Sequence, residues 1–215
     1  MGDTLTVRRA SEADRDAVIE AFGKCSDEAV TAWVLEGHSI EPFIDQHVPM
    51  IIDRGLKEDE IWIAGAGEDI WAVSIWQYVT SPERFVADAE EARAMREQAP
   101  DLSVARRLEA LTSLLAAEHP REFPHQYLQV IVTVPEHRGK GAGAAILGDR
   151  LKVYTEQQVP AFLEASTERS SRLYARCGFE ATGKTHPLPE NGPTLIPMCF
   201  GPDAMSRRPL ARGFA

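Results

Sequence analysis

The feature that most narrows the fold is a strand that runs through a glycine-rich loop into a helix. Residues 127–134 (Tyr-Leu-Gln-Val-Ile-Val-Thr-Val) are rich in β-branched side chains and carry no charge. That is the pattern of a central strand covered on both faces. Pro135, Glu136 and His137 lead from it into Arg138-Gly139-Lys140-Gly141-Ala142-Gly143-Ala144, and Leu147, Leu151 and Tyr154 then follow at helical spacing. Glycines at 139, 141 and 143 remove Cβ atoms where a ligand must approach the backbone. The first turn of a helix has N–H groups without partners, so this loop forms an anion site. Arg138 and Lys140 add positive charge beside it.

The loop by itself leaves several readings open. Gly-Lys-Gly-Ala-Gly-Ala matches the dinucleotide fingerprint. In that fold, however, the glycines follow the strand directly and belong to the first βαβ unit. Here residues 135–138 intervene, and the loop lies past mid-chain. A phosphate loop of the Gly-Lys-Ser/Thr type would need a hydroxyl residue after the lysine, and Gly141 stands there. A solvated glycine turn is the plain alternative.

Patterning elsewhere predicts alternating strands and helices. A strand is expected near residues 5–7, then a helix capped by Ser11 with Asp14 as its capping-box partner. Helices follow at about 27–35, stopped by Gly37, and at 41–53. Residues 61–64 and 71–76 read as a hairpin around the 65–69 turn. Two helices fill 81–120, with Pro82 in the first turn and Pro100 between them. A short strand at 161–164, a helix at 171–177 ended by Gly178, and strands at 179–185 and 195–200 complete the order. The fold class is α/β (α+β). One domain over 1–200 holds a mixed central sheet of six to seven strands flanked by helices, with a helical insertion at 79–125 and a loose tail at 201–215.

A formal net charge of −10 over 215 residues argues against a nucleic-acid partner, which would need a basic face. It suits a cationic partner or simple solubility. Three widely spaced cysteines show no metal spacing and no disulfide framework. With no apolar leader and no membrane-length stretch, the expected location is the cytoplasm. Monomer and homodimer both remain open.

A second motif settles the reading of the first. Leu173-Tyr174-Ala175-Arg176-Cys177-Gly178-Phe179 follows the loop at the right distance. Arg-x-x-Gly-x-Gly followed by Leu-Tyr-x-x-x-Gly-Phe resembles the GNAT family of N-acetyltransferases. Residues 73–82, 108–124, 162–164 and 190–194 extend the likeness, more loosely, to the puromycin N-acetyltransferase group of that family. The resemblance implies acetyl-CoA as cosubstrate and a small-molecule amine as acceptor, an aminonucleoside or other antibiotic-like amine among the candidates. The rival functions are a CoA-binding sensor without catalysis and an acetyltransferase for protein N-termini or lysines.

The resemblance also assigns residues. Ile131, Val132 and Thr133 would bond the pantetheine amides through their backbone, with an N–H near Val132 or Thr133 facing the carbonyl oxygen. Residues Arg138 to Ala144 would hold the pyrophosphate. Ser170 stands where close relatives carry Asn, and its shorter side chain weakens that cofactor contact. Tyr174 is the general acid for the departing sulfur. Glu164, a carboxylate on an apolar strand, is the candidate base; a structural carboxylate bonded to backbone or Ser166 is the alternative. His119, His125 and His186 are lesser base candidates, expected at the surface. Phe22, Trp33, Trp76 and Phe85 are expected to wall the acceptor pocket, or to pack in the core, and Asp27, Glu28 and Glu36 to attract a cation.

Overall fold

A computed structural model describes residues 4–25 and 27–201. The expected tail therefore lies outside the described residues, apart from Gly201.

The central strand β4 (His125–Thr133) organises the molecule. On one side it pairs antiparallel with β3 (Asp69–Val79) along its length, from Ala72↔Thr133 to Val79↔His125. A bulge at Gln129 interrupts that ladder, since Ile75 faces Val130 while Trp76 faces Leu128. On the other side β4 meets β5 (Ala161–Ala165) in parallel, and only at Gln126↔Ala161 and Tyr127↔Phe162. Beyond Tyr127 the two strands separate, so the β4 edge from Leu128 to Thr133 is left without a strand partner on that side. This opening in the middle of the sheet positions everything that follows.

The hairpin β2 (Glu60–Ala66) to β3, with β1 (Thr6–Arg9) on its outer edge, continues the sheet one way. Antiparallel β8 (Thr194–Phe200) continues it the other way. Two-residue strands Glu180–Ala181 (β6) and His186–Pro187 (β7) both pair with β8. The order is β1-β2-β3-β4-β5-β8-β6, with β7 as an eighth, short strand. The strand expected over 179–185 is thus only two residues long, because Phe179 turns inward to the core beside Tyr174, their ring centroids 6.0 Å apart.

Helices cover both faces. α1 (Arg15–Gly23) and α3 (Val48–Glu58) bury Val18, Val48 and Ile52 against Ile61, Ile75 and Val132. α6 (Ala142–Gln157) buries Leu147, Leu151 and Tyr154 on the opposite face, around Trp76. Ser11 and Asp14 do form the expected capping box, opening a single tight turn before α1. α4 (Glu83–Gln98) and α5 (Ser103–Glu118) pack together between β3 and β4. α2 (Ala29–Val34) lies against α5, and α7 (Glu168–Arg176) against β5. α7 begins three residues earlier than expected because Thr167 caps it, its hydroxyl accepting from Ser170 N at 3.0 Å.

Candidate active site

A groove of about 550 Å³ runs along the freed edge of β4 to the start of α6. Ile131, Val132 and Thr133 line it, as do Gly139, Gly141, Ala142, Gly143 and Ala144. Gly139 and Gly141 adopt φ of +81° and +88°, left-handed conformations in which a side chain would be strained. Within α6, Ala145 N–H is bonded to Gly141 O at 2.9 Å; the N–H groups of Ala142, Gly143 and Ala144 precede it in the free first turn. Arg138, Arg169 and Arg176 supply cationic lining. An extended, amide-bearing chain with a polyphosphate at one end fits this surface: a strand edge for the amides, helix N–H groups and arginines for the phosphates.

Lys140 does not join it. Its ammonium lies 5.3 Å from the Trp71 ring centroid and 3.2 Å from His137 Nδ1, and its N–H goes to His137 O. Trp71 in turn stacks on His137 at 4.6 Å, and Asp69 touches both through Trp71 Nε1 and His137 Nε2. Lys140 thus belongs to a surface network that pins the loop onto β3. Arg138 lines the groove but is paired: its guanidinium donates to Asp27 at 2.6 and 2.5 Å, and its Nε donates to Thr133 O at 3.3 Å. Ser170 lines it too, with its hydroxyl engaged in the α7 cap through Thr167.

A second cavity, about 320 Å³, is lined by the sheet and by residues of α1 to α5 and α7. Phe22, Val34, Phe43, Ile51, Leu108, Leu111 and Leu115 give it apolar walls. Among the described residues that line it, the charged ones are Glu28, Asp88 and Glu164, all acidic. The two cavities share Glu28, Ile131, Ser166 and Tyr174. They meet there, beside the opening between β4 and β5.

The titratable groups at this junction are strongly perturbed. Burial raises the Glu164 carboxyl to about 7, while a hydrogen bond from the Tyr127 hydroxyl works in the opposite direction. Ser166 does not hold Glu164: its hydroxyl donates to Glu28 Oε1 at 2.7 Å. Glu28 also caps α2 by accepting from Val30 N and Thr31 N, at 2.9 and 3.2 Å. Burial pushes the Tyr174 phenol well up, with the Glu28 charge adding to it, so Tyr174 keeps its proton at neutral pH. Burial likewise holds the Cys25 thiol, on the groove wall, at about 11.

Several expected site residues lie elsewhere. Trp76 is fully buried, donates to Ser74 Oγ at 3.1 Å and packs edge-on to Tyr154. Trp33 is buried against Leu188 and Leu195 and is crossed by Arg107 at 5.9 Å. Neither lines this second cavity, whereas Phe22 does. Phe85 stacks on His119 at 3.7 Å, behind Tyr127. Glu36 pairs with Arg107 and does not line either cavity. His119 and His125 are not surface residues: both are about 3% exposed, joined Nε2 to Nε2 at 2.8 Å. His186 is half-buried, 3.9 Å from Glu118. None of the three lines a cavity at the junction. Sequence reasoning missed Tyr127 and Asp88. A carboxylate on an apolar strand needs a donor, and a tyrosine on the adjacent strand was the available signal.

Residues 68–200 match the family model described as the acetyltransferase (GNAT) domain. The fold is shared with solved structures of low identity. One described as histone acetyltransferase HPA2 and related acetyltransferase, from Corynebacterium glutamicum, is 20% identical, with 93% of this chain and 97% of that one covered and a TM-score of 0.64. The polyamine N-acetyltransferase of Drosophila melanogaster is 13% identical, covering 93% and 100%, at 0.67. Arylalkylamine N-acetyltransferase 2 of Aedes aegypti is 15% identical, covering 93% and 99%, at 0.66.

Proposed function

The chain belongs to the GNAT acetyltransferase family, an acetyl-CoA-dependent family of N-acetyltransferases, and from that premise we propose that it acetylates a small cationic amine by direct attack within a ternary complex. One observation carries the reading. A basic groove suited to a polyphosphate and an acidic cavity suited to an ammonium meet at Tyr174, Ser166, Glu28 and Ile131. Residues of the sheet and of α1 to α5 and α7 line the acceptor cavity, whose size of about 320 Å³ favours a small molecule over a peptide. The likeness to the puromycin N-acetyltransferase group makes aminonucleosides one class to screen.

Acetyl-CoA supplies an acetyl thioester, whose carbonyl carbon accepts the amine nitrogen and whose C–S bond breaks. The chain's residues handle the protons and the developing charge. An alkyl ammonium has a pKa of about 10, so at neutral pH the acceptor arrives protonated. Glu164, poised near 7, takes that proton. The Thr133 backbone N–H lies on the freed edge of β4, since Val134, and by alternation Val132, donate toward β3, and it faces the carbonyl oxygen as it gains charge. Tyr174 donates its phenol proton to the leaving sulfur. Cys25 stays a neutral thiol donating to Ala21 O, so it offers no thiolate for a covalent relay.

Titration calorimetry with acetyl-CoA tests the first half: the folded protein binds it in the micromolar range, and absence of binding defeats the proposal. Steady-state kinetics of Tyr174→Phe tests the second. That change lowers kcat far more than it raises the KM for acetyl-CoA; unchanged turnover returns Tyr174 to a packing role.

A further inference from the structure

We infer that the acceptor carries one amine on an apolar body of about one ring system, and that polyamines and polyhydroxylated polycations are poor substrates. The inference rests on the acetyl-transfer reading above and adds the substrate class.

Charge partners inside the acceptor cavity are few. Three carboxylates line it, and two are already committed. Glu28 accepts from two α2 N–H groups and from Ser166. Asp88 is ion-paired with Arg54 Nη1 of α3 at 3.0 Å. Glu164 has two neutral donors, the Tyr127 hydroxyl and its own backbone N–H, and no cation among the described residues. Both Glu28 oxygens are engaged and Asp88 is neutralised, so Glu164 is the carboxylate left to a first ammonium, in the cavity wall that Tyr174 also lines. A second ammonium on the same molecule has to sit among Leu108, Leu111 and Leu115 of α5, or displace Arg54 from Asp88. Burying an unpaired charge against leucine is costly. An aromatic or aliphatic body in the same place gains from leaving water. The volume, near the lower end for ligand pockets, suits a compact body.

The test uses the full-length enzyme with acetyl-CoA and a matched pair of acceptors, hexylamine and 1,6-diaminohexane, which differ by one charged end. 2-Phenylethylamine and an aminoglycoside complete the panel, and release of the CoA thiol reports turnover. Hexylamine and 2-phenylethylamine are expected to exceed the diamine in kcat/KM by at least tenfold, with the aminoglycoside lower still. A diamine or aminoglycoside used as well as the monoamines overturns the substrate class and leaves acetyl transfer standing. An enzyme that binds acetyl-CoA but acetylates no member of the panel overturns both. Leu111→Glu gives a second readout. With acetyl-CoA affinity and melting temperature checked against the parent, a new carboxylate on the α5 wall narrows the monoamine preference. A preference that does not move argues against the charge count.

Discussion

The hydrogen bond from Tyr127 to Glu164 gives the proposed mechanism a quantitative handle. Tyr127→Phe removes the hydroxyl and keeps the ring, which packs against Phe85 at 5.4 Å and Phe162 at 6.3 Å. The lost bond stabilises the ionised form of Glu164. Hydrogen bonds to charged groups contribute roughly 1.5–3 kcal/mol, and about 1.4 kcal/mol corresponds to one pH unit. The Glu164 carboxyl should therefore rise from about 7 by roughly one to two units. Because the base works only when ionised, kcat/KM climbs with pH through that value. In the parent enzyme the profile climbs to about 7, levels off, and falls near the acceptor's own pKa of about 10. In Tyr127→Phe the climbing limb moves up by the same one to two units and the plateau narrows. The assay is CoA thiol release with a monoamine at subsaturating concentration across this range. A parent profile that climbs without a break to about pH 10 would mean that neutral amine is selected from solution and that Glu164 is not the base. A variant limb that stays in place, or moves down, also refutes the reasoning.

Asp27→Asn frees Arg138 from its bidentate partner, so the arginine turns fully to the cofactor phosphates. Acetyl-CoA affinity should rise several-fold by calorimetry, an effect that shrinks as salt is added; weaker binding would show instead that Asp27 holds Arg138 in its working position. Gly65 sits at the β2–β3 bulge, where a Cβ would lie 1.9 Å from Asp69 O. Gly65→Ala must move backbone to fit, a cost of at least about 2 kcal/mol. That lowers the melting temperature by roughly 4–8 °C, and an unchanged melt would contradict the bulge.

The parts of this site legible in sequence are those whose chemistry is local. Glycines at 139, 141 and 143 after a β-branched strand need no distant partner to mark an anion site. Glu164 stands out because a carboxylate between Leu163 and Ala165 has to be explained. What stayed hidden depends on contacts between remote segments. Asp27 and Arg138 are 111 positions apart, and nothing in either neighbourhood announces the pairing. Tyr127 approaches Glu164 only through the parallel register Tyr127↔Phe162. Phe22 and Trp76 have the same propensities, yet one lines the cavity and the other is enclosed by α6. An apolar side chain carries no mark for which side of a cavity wall it faces. His119 and His125 read as surface residues beside prolines because a lone buried histidine is costly; here they pair Nε2 to Nε2, which leaves one ring nitrogen, His119 Nδ1, without a partner.

That histidine pair and Glu164 set the pH dependence of stability, and they act in opposite directions. His125 Nδ1 donates to Glu122 O at 2.7 Å, so its Nε2 accepts from His119 Nε2, and both rings are neutral. His119 Nδ1 is then buried without a partner. Burial, the His125 ring and Arg121 hold His119 at about 3, against an ordinary 6.5. A depressed folded value means stability that is present above 6.5 and is lost as pH falls toward 3. Glu164, raised from 4.5 to about 7, has the reverse sign: its stability is present below 4.5 and is lost as pH rises through 7. Between pH 5 and 7 the Glu164 arm is worth on the order of 2 kcal/mol, and the histidine arm opposes it, since burial lowers His125 as well as His119. Carboxylates held low by arginine, such as Glu190 at about 2 beside Arg106 and Arg107, are ionised in both states there and do not intrude. On going from pH 7 to pH 5, urea melts of Glu164→Gln, which removes one arm, should therefore lose about 2 kcal/mol more than those of the parent. The same variant should be more stable than the parent at pH 8, since a buried carboxylate kept ready for a proton destabilises the fold that holds it. A variant with a flat profile would show that the histidine pair is not buried neutral.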